Sequence, residues 1–538
     1  MTETGKTYYV SALSGCDTND GSREKPMRTL RAAGRLALRP GDALLLERGS
    51  VFYGEFLHLT ERRGTADRPI LVGSYGEGAR PCIAAEGAGV WYQSYGTALD
   101  NPHHRWRGYV SSAVLLYDCE YIRLQDLEIT NAAAAPGESE SQADRMSRTG
   151  VAVVARNRGT LHGIELSSLH VHDVAGNVYD KHLNNGGIYC TALKPEKPDG
   201  ETARYDGLWI HHCRVERCSR WGIAAGYTYT HPFFQGREIE AQTAARYGHT
   251  DVVLEYNVVR DIGGDGITPM YCLRPLVQYN VAENTATQIN DRVYTLAGER
   301  LGKTAAAIWP WKCKDALLQY NEAYHTCLNQ DGQAWDADSG DGTVYQYNYS
   351  HGNGGGCVMF CEGESVNNVF RYNISMLDGG GVINPAHNPD AHLYGNIFIL
   401  AEGVPFIRDN MSGGGMLVEG NLIYNSGQKP VSGDWHHQTN RAVYRRNLYC
   451  NFADTPEEDT EAIVKEAGEA LLADPLGGPR QADGEAHDGK RFACFAPAAG
   501  KKEEIDRILF AVRREGGEQG QTETEPRWEI FREKEARR

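Results

Sequence analysis

A Tyr-Asn dipeptide recurs through the second half of the chain and constrains its fold more than any other feature. The pairs are Tyr256-Asn257, Tyr279-Asn280, Tyr320-Asn321, Tyr347-Asn348 and Tyr372-Asn373. Degenerate copies follow at Asn396, Asn421 and Asn447, so successive asparagines lie 23, 41, 27, 25, 23, 25 and 26 residues apart. A repeat of this length is typical of a solenoid, in which each repeat packs only on its neighbours.

Each repeat contains short apolar strands separated by Gly, Asn and Asp turns, as in VLEYNVVRDIGGDGI at 253–267. The strand segments show no helical periodicity. A repeat of about 25 residues fits one coil of a parallel β-helix, whereas a propeller blade needs about 40. The pattern of a leucine-rich repeat is missing. We therefore predict an all-β solenoid of the parallel β-helix type, with the repeated asparagines stacked as a ladder at one turn.

Both ends of the chain predict caps on this solenoid. Residues 26–38 are amphipathic and lead into Arg39-Pro40-Gly41-Asp42, a helix stop and turn. A helix there would cover the apolar end of the first coil. The predicted segments are an N-terminal cap with the first strands at 1–60, the β-helix at 61–454 with catalytic coils near 300–390, a C-terminal cap at 455–517 with short helices at 455–470 and 503–517, and a disordered tail at 518–538.

The composition of the chain limits which binding partners and which cellular compartment we expect. A formal net charge of −16 over 538 residues argues against nucleic acid and anionic membranes as partners. The N-terminus lacks the basic and apolar segments of a signal peptide, and no apolar run has the length of a membrane span. The 13 cysteines are scattered without a CxxC pair, so we expect a reducing cytoplasm and neither a metal nor another cofactor. Composition leaves open whether the chain forms a homo-oligomer.

Several coils share a small residue just before one strand, and this residue aligns their side chains. The aligned segments are 186–192, 221–227, 265–271, 306–312, 333–339, 356–362 and 381–387. Alternation along 333–339 turns Trp335 inward and Asp336 and Asp338 outward. On the next coil, an inward Cys357 turns Val358, Phe360 and Glu362 outward, and the coil after that places His387 level with Glu362.

Paired carboxylates on neighbouring coils predict acid–base chemistry. Two aspartates inside one strand oppose β propensity, and such local conflicts are expected at functional sites. Two carboxyls about 5–10 Å apart are the minimal equipment for glycoside hydrolysis. Asp338 is the predicted nucleophile or base, with Asp336 as its neighbour, and Glu362 or Asp331 is the predicted acid. Asp331-Gly332 and Asp341-Gly342 are also ordinary turn dipeptides.

Aromatic and polar side chains on the other aligned coils predict sugar subsites. Trp221, Trp309 and Trp311 are candidate platforms for pyranose rings, and core packing is the competing interpretation for each. Asp265 and His387 are candidates for binding sugar hydroxyls. Asp265 also fits an ordinary turn in the sequence GGDGI.

Several motifs resemble known families. YYVSALSGCDTNDGSREKPMRTL, RPGDALLLERG and RPILVGSYGEGARP are similar to the opening of bacterial members of the pectate-lyase-like right-handed β-helix superfamily. The segment AAIWPW…QYNEA…QDGQAWDAD…YQYNYSHGNGGG resembles β-helical glycoside hydrolases of the β-xylosidase and lacto-N-biosidase types. The xylosidase resemblance implies that Asp338 or Asp336 is the nucleophile and Glu362 the acid/base. The lacto-N-biosidase resemblance implies two aspartates seven apart, which Asp331 and Asp338 match.

These observations predict a glycosidase that acts from the end of short oligosaccharides. A lyase or epimerase is the first alternative, with Ca²⁺ held by the aspartates, although no basic motif on the neighbouring coils supports it. A non-catalytic carbohydrate-binding solenoid is the second alternative.

Overall fold

The structure is a computed structural model. It describes residues 5–93, 106, 108–132, 145–178, 185–196, 202–227, 232–234, 236–289, 295–296, 299–300, 304–408, 414–436, 441–478 and 494–510. The chain forms two compact units. The first unit holds residues 1–276 and 282–314, and the second holds 277–281 and 315–538.

The first unit contains three sheets of parallel strands. One sheet has the order β1 (Thr7–Val10), β2 (Ala43–Glu47), β5 (Ile70–Tyr75), β9 (Ile122–Gln125), β12 (Thr160–Ser167), β15 (Arg204–His211) and β18 (Thr250–Glu255). The second has the order β3 (Val51–Tyr53), β6 (Cys82–Ala84), β10 (Glu128–Asn131), β13 (His170–Val174), β16 (Arg214–Cys218) and β19 (Val258–Arg260). The third has the order β4 (Leu57–Thr60), β8 (Tyr109–Tyr117), β11 (Ser147–Ala155), β14 (Gly186–Ala192), β17 (Trp221–Tyr227) and β20 (Ile267–Pro269), with β7 (Val90–Tyr92) antiparallel to β8.

The second unit repeats this arrangement. One sheet contains β25 (Leu317–Gln319), β28 (Val344–Gln346), β31 (Asn368–Arg371), β34 (Ala391–Tyr394), β36 (Gly415–Glu419) and β38 (Arg441–Arg445). Another contains β26 (Glu322–Tyr324), β29 (Tyr349–His351), β32 (Ile374–Met376), β35 (Ile397–Leu400), β37 (Leu422–Asn425), β39 (Leu448–Cys450) and β40 (Ile463–Lys465). A third contains β27 (Gln333–Asp338), β30 (Gly356–Cys361) and β33 (Ile383–Asn384).

The remaining elements are short. They are α1 (Leu30–Gly34), a 3-10 helix (Pro232–Phe234), α2 (Ala241–Tyr247), β21 (Leu276–Gln278), β22 (Val281–Glu283), the antiparallel pair β23 (Thr295–Leu296) and β24 (Glu299–Arg300), and α3 (Lys502–Leu509). Within each unit, neighbouring strands of a sheet come from successive turns of the chain and are parallel. The predicted parallel β-helix is therefore confirmed.

The repeated asparagines form the predicted ladder. The backbone N–H of Asn348 donates to Oδ1 of Asn373 at 2.9 Å, and the side-chain amide of Asn348 donates to the same oxygen at 3.0 Å and to the carbonyl of Leu318 at 2.9 Å. The same pattern links Asn280, Asn321, Asn348, Asn373, Asn396, Asn421 and Asn447. These side chains are buried, so each amide satisfies backbone groups of two adjacent coils.

The tyrosine of each pair has its own structural role. All five tyrosines have φ between 54° and 58°, the left-handed region that β-branched residues avoid and glycine favours. Gly395, Gly420 and Arg446 take the same conformation in the degenerate copies. Ring centroids of Tyr320 and Tyr347 lie 5.2 Å apart with nearly parallel planes. Ring stacking along the coils therefore accompanies a turn that each tyrosine must make in a strained conformation.

The asparagine ladder ends at the carboxylate of Asp459. This residue lies in the segment 455–470, which is predicted to be a helix but contains a strand. The carboxylate of Asp459 accepts from the backbone of Arg446 at 2.7 Å and of Asn447 at 3.1 Å, and from the Tyr449 hydroxyl at 2.8 Å. The predicted helix at 455–470 is wrong, because this segment contributes β40, which pairs with β39. The β-branched pair Ile463-Val464 suits a strand, and the exposed backbone edge of the last coil provides its partner.

The other predicted helices are present but shorter. α1 begins after Thr29, whose hydroxyl accepts from the Ala32 N–H at 3.1 Å, so the predicted start at residue 26 is wrong. α3 confirms the predicted helix near 503–517, although residues beyond 510 lie outside the described residues. The domain boundaries stay predictions, and the tail predicted at 518–538 is also outside the described residues. Every helix in the described ranges is too short or too polar to cross a membrane.

Replacing Asn348 with alanine should lower the midpoint of thermal unfolding. The change leaves the carbonyl of Leu318 and the backbone N–H of Asn321 without their ladder partners. Each buried polar group that loses its partner costs about 1–3 kcal/mol. Asn157→Ala is the control, because Asn157 bonds Glu196 on the surface. Equal unfolding midpoints for the two variants would contradict a stabilising role of the ladder.

Candidate active site

The register of β27, β30 and β33 brings the predicted residues of the second unit together. Trp335 pairs with Val358, Asp336 with Met359 and Asp338 with Cys361, as the sequence alignment predicts. Trp335 is fully buried with its ring 5.8 Å from that of Tyr345, so it points into the core. The alternation places Asp336 and Asp338 on the opposite face of β27.

The prediction that Val358 and Phe360 point outward from β30 is wrong, because both side chains are fully buried. The backbone N–H groups of Cys357 and Val358 both donate to the carbonyl of Val382, at 2.9 and 3.1 Å. This irregularity breaks the alternation after Cys357. Phe360 consequently pairs with Ala337 and is fully buried, and it is Cys361 that shares the face of the aspartates.

Cys361 lies close to two of the predicted carboxyls, Asp336 and Asp338. One ligand atom from each of Asp336, Asp338 and Cys361 lies within 4.8 Å of the other two. Burial raises the pKa of the Cys361 thiol well above its usual range, and so do the negative charges of Asp338, Asp336, Asp331 and Glu362. Asp336 and Asp338 lie beside the thiol, and Asp331 and Glu362 add their charges to the field that raises its pKa. We call these four residues the carboxylate cluster.

Members of the carboxylate cluster differ in burial. Asp336 is 3% exposed, Asp338 and Asp331 are half-buried, and Glu362 is exposed. The hydroxyl of Ser339 donates to Asp338 Oδ1 at 2.6 Å. A half-buried site with several carboxyls contains the acid and the carboxylate that glycoside hydrolysis requires.

Backbone packing fixes the position of Asp331. Its N–H donates to the side chain of Asn329 at 2.8 Å, and the next residue, Gly332, has a φ of 100°. A Cβ built on Gly355 would lie 2.2 Å from the carbonyl oxygen of Asp331. Only glycine at 355 allows this approach, so the Gly-rich run before β30 holds the Asp331 turn against the cluster.

Glu362 and His387 lie where the strands end. Glu362 has a φ of 70° and its N–H donates to the carbonyl of Ala386 at 2.9 Å. His387 is exposed, has a φ of 68° and bridges Cys361 rather than Glu362. The prediction that His387 lies beside Glu362 is therefore wrong by one residue along the strand. Its role in binding a hydroxyl stays a prediction.

The predicted subsite residues of the first unit form a buried polar group. Arg220 and Asp265 are fully buried and their side chains lie 2.7 Å apart. The indole N–H of Trp309 donates to Asp265 Oδ1 at 3.0 Å, and Trp309 packs at 6.3 Å from Trp221. Asp265 is thus the partner of a buried cation rather than only a turn residue, which offsets the cost of burying its charge.

The three tryptophans that are candidates for stacking on sugar rings differ in solvent exposure. Trp221 and Trp309 are at most 1% exposed, so their faces contact protein in this structure. Trp311 is half-buried, with its ring 5.1 Å from that of Tyr271. Sugar stacking stays a prediction for all three residues.

Sequence reasoning missed Cys361 and Arg220. Cys361 is absent from the predicted site residues, although it lies directly opposite Asp338 in the alignment. Arg220 lies just before the aligned segment at 221–227. Because it is far from Asp265 in the sequence, the ion pair between the two side chains was not predicted. A buried aspartate that needs a cation was the available signal.

Comparisons with known proteins show which family the chain resembles over most of its length. A lacto-N-biosidase of Bifidobacterium longum subsp. longum is 38% identical over 93% of this chain, which spans about a third (34%) of that protein's length. The crystal structure of a GH136 lacto-N-biosidase from Eubacterium ramulus matches with a TM-score of 0.75 and 54% identity. That match covers 78% of this chain and 68% of the solved chain. No family model matches the sequence.

Replacing Asp338 with asparagine should speed alkylation of Cys361 by iodoacetamide. Removal of one negative charge lowers the pKa of the thiol, and each unit of that fall raises the thiolate fraction about tenfold. Peptide mass spectrometry after timed labelling gives the rate. Asp341→Asn is the matched control, and equal Cys361 rates in the two variants would place Asp338 away from the thiol.

Proposed function

Because this chain belongs to the GH136 family of lacto-N-biosidases, we propose that it is an exo-acting glycoside hydrolase that releases lacto-N-biose from short oligosaccharides. The carboxylate cluster around Cys361 is the observation that carries the proposal. Glycosidases need one carboxyl that protonates the leaving oxygen and one carboxylate that attacks the anomeric carbon or activates water.

Asp338 is the nucleophile or base of this mechanism. It stands on β27 at the level of Cys361, with Asp336 two residues before it on the same face. The Ser339 hydroxyl donates to its carboxylate at 2.6 Å, and such a bond favours the ionised form. An ionised, half-buried carboxylate is the group that attacks or that accepts a proton from water.

Asp331 is favoured over Glu362 as the acid. A general acid must hold its proton near neutral pH, and burial beside other carboxylates favours that form. Asp331 is half-buried and its backbone is fixed by Gly355, whereas Glu362 is exposed. Asp331 and Asp338 also have the seven-residue spacing that the lacto-N-biosidase resemblance implies. Glu362 remains the alternative acid.

The activity is tested with purified protein on aryl glycosides, including the lacto-N-bioside and the xyloside, and on oligosaccharides. We expect release of lacto-N-biose that EDTA does not abolish. Absorbance from an unsaturated product that disappears with EDTA would indicate a Ca²⁺-assisted lyase instead. Sugar binding without turnover would indicate a non-catalytic solenoid. The cytoplasmic location, the lack of nucleic-acid and membrane partners and the oligomeric state stay predictions.

Asp338→Asn should lower kcat/KM by at least about a thousandfold, because the amide neither attacks nor accepts the proton. Steady-state kinetics on the lacto-N-bioside measures the loss. Asp341→Asn is the control, since Asp341 lies in the following turn and accepts from the Asn367 side chain. Retention of full activity by Asp338→Asn would remove Asp338 from the mechanism.

The dependence of the hydrolysis rate on the leaving group identifies which residue is the general acid. An activated dinitrophenyl leaving group departs without protonation, so a variant that lacks only the acid should hydrolyse it within about tenfold of the wild-type rate. The same variant should lose about a hundredfold or more on a leaving group that needs a proton. We expect this pattern for Asp331→Asn and a much smaller effect for Glu362→Gln. The reverse pattern would assign the acid to Glu362.

A further inference from the structure

A histidine pair and a glutamate converge on the outer side of the second sheet of the first unit. β10 and β13 are neighbours, with Glu128 opposite His170 and Thr130 opposite His172. Val171 between the two histidines is fully buried, so alternation turns both imidazoles away from the core. One ligand atom from each of Glu128, His170 and His172 lies within 4.8 Å of the other two.

The spacing of these atoms matches a metal's coordination sphere. His172 Nε2 lies 3.2 Å from Glu128 Oε1, and the two imidazole centroids lie 4.3 Å apart. Tetrahedral Zn²⁺ with bonds of about 2.0–2.1 Å holds its ligand atoms roughly 3.3–3.4 Å from one another. Little movement of Glu128 or His172 is needed to place an ion between them.

Carboxylates behind both imidazoles orient them. Asp173 Oδ2 lies 2.6 Å from His172 Nδ1, and Arg217 holds Asp173 through bonds of 2.8 and 2.9 Å. Proton donation from Nδ1 to Asp173 leaves the lone pair of His172 Nε2 directed at Glu128. Glu216 Oε2 lies 3.4 Å from His170 Nε2, which leaves the other nitrogen of that ring for an ion. Ligating histidines in proteins usually have such a carboxylate behind them.

We propose that Glu128, His170 and His172 form a Zn²⁺ site that ties two successive coils together. Two imidazole nitrogens and one carboxylate are donors that suit zinc, whereas Ca²⁺ and Mg²⁺ prefer oxygen alone. Water fills the fourth position. Since His170 and His172 lie on one strand and Glu128 on the next, the ion adds a cross-link that a folded chain has and an unfolded chain lacks, and it stabilises the first unit.

The site is tested on the full chain after removal of metals by EDTA and dialysis. Calorimetric titration with Zn²⁺ should show one site that the double variant H170A/H172A lacks, and Zn²⁺ should raise the thermal midpoint of the wild type but not of that variant. Asp173→Asn should weaken Zn²⁺ binding about ten- to a hundredfold, because an uncharged amide accepts from His172 Nδ1 more weakly than the carboxylate does. His162→Ala is the matched control, since His162 pairs with Asp206 and belongs to no metal-ligand group among the described residues.

Three results would overturn the proposal. One is a wild type that binds no Zn²⁺ at micromolar concentrations. Another is a double variant that binds Zn²⁺ as tightly as the wild type, which would assign binding to the cysteines. The third is a thermal shift that Ca²⁺ produces and Zn²⁺ does not. Should the double variant fail to fold, Glu128→Gln keeps the shape of the side chain while removing a charged ligand, and it must weaken Zn²⁺ binding.

Discussion

The side-chain amide of each ladder asparagine bonds two adjacent coils at once, and the register of the second unit depends on this bond. Asn348 joins the carbonyl of Leu318 to the next asparagine, Asn373. A slip by one residue would leave buried amides and carbonyls without partners, at a cost of about 1–3 kcal/mol each. The ladder thereby holds Asp338 opposite Cys361 on the neighbouring strand.

A fixed register lets the fold carry groups that destabilise it locally. The carboxylate cluster adds like charges near one thiol, and burial together with these charges raises the pKa of Cys361. Gly332 before β27 and Glu362 after β30 both have positive φ values at the turns next to the cluster. Strain and repulsion of this kind persist only where the surrounding structure fixes the backbone, and they mark functional sites. The Arg220–Asp265 pair shows the opposite solution, in which a buried charge has a buried partner.

Much of the fold and part of the site follow from the sequence. The Tyr-Asn period predicts the coils, and the small residue before each strand predicts that Trp335 lies beside Val358 and Ile223 beside Ile267, as the structure shows. The inward direction of Phe360 was not predictable, because the irregularity at Cys357 arises from two N–H groups that share one carbonyl. The strand at 463–465 was equally hidden, since a free sheet edge outweighs the helical pattern of that segment.

The sequence by itself determined which residues repeat and therefore which strands lie side by side, because strand alternation and coil length are local properties of the chain. Only the tertiary structure decided which charged and polar side chains of different coils come into contact. Cys361 among the carboxyls, Arg220 against Asp265, and Glu128 beside His170 and His172 are contacts between residues of different coils. Such contacts depend on where each turn ends and on which groups burial forces to find a partner, and no local pattern encodes either.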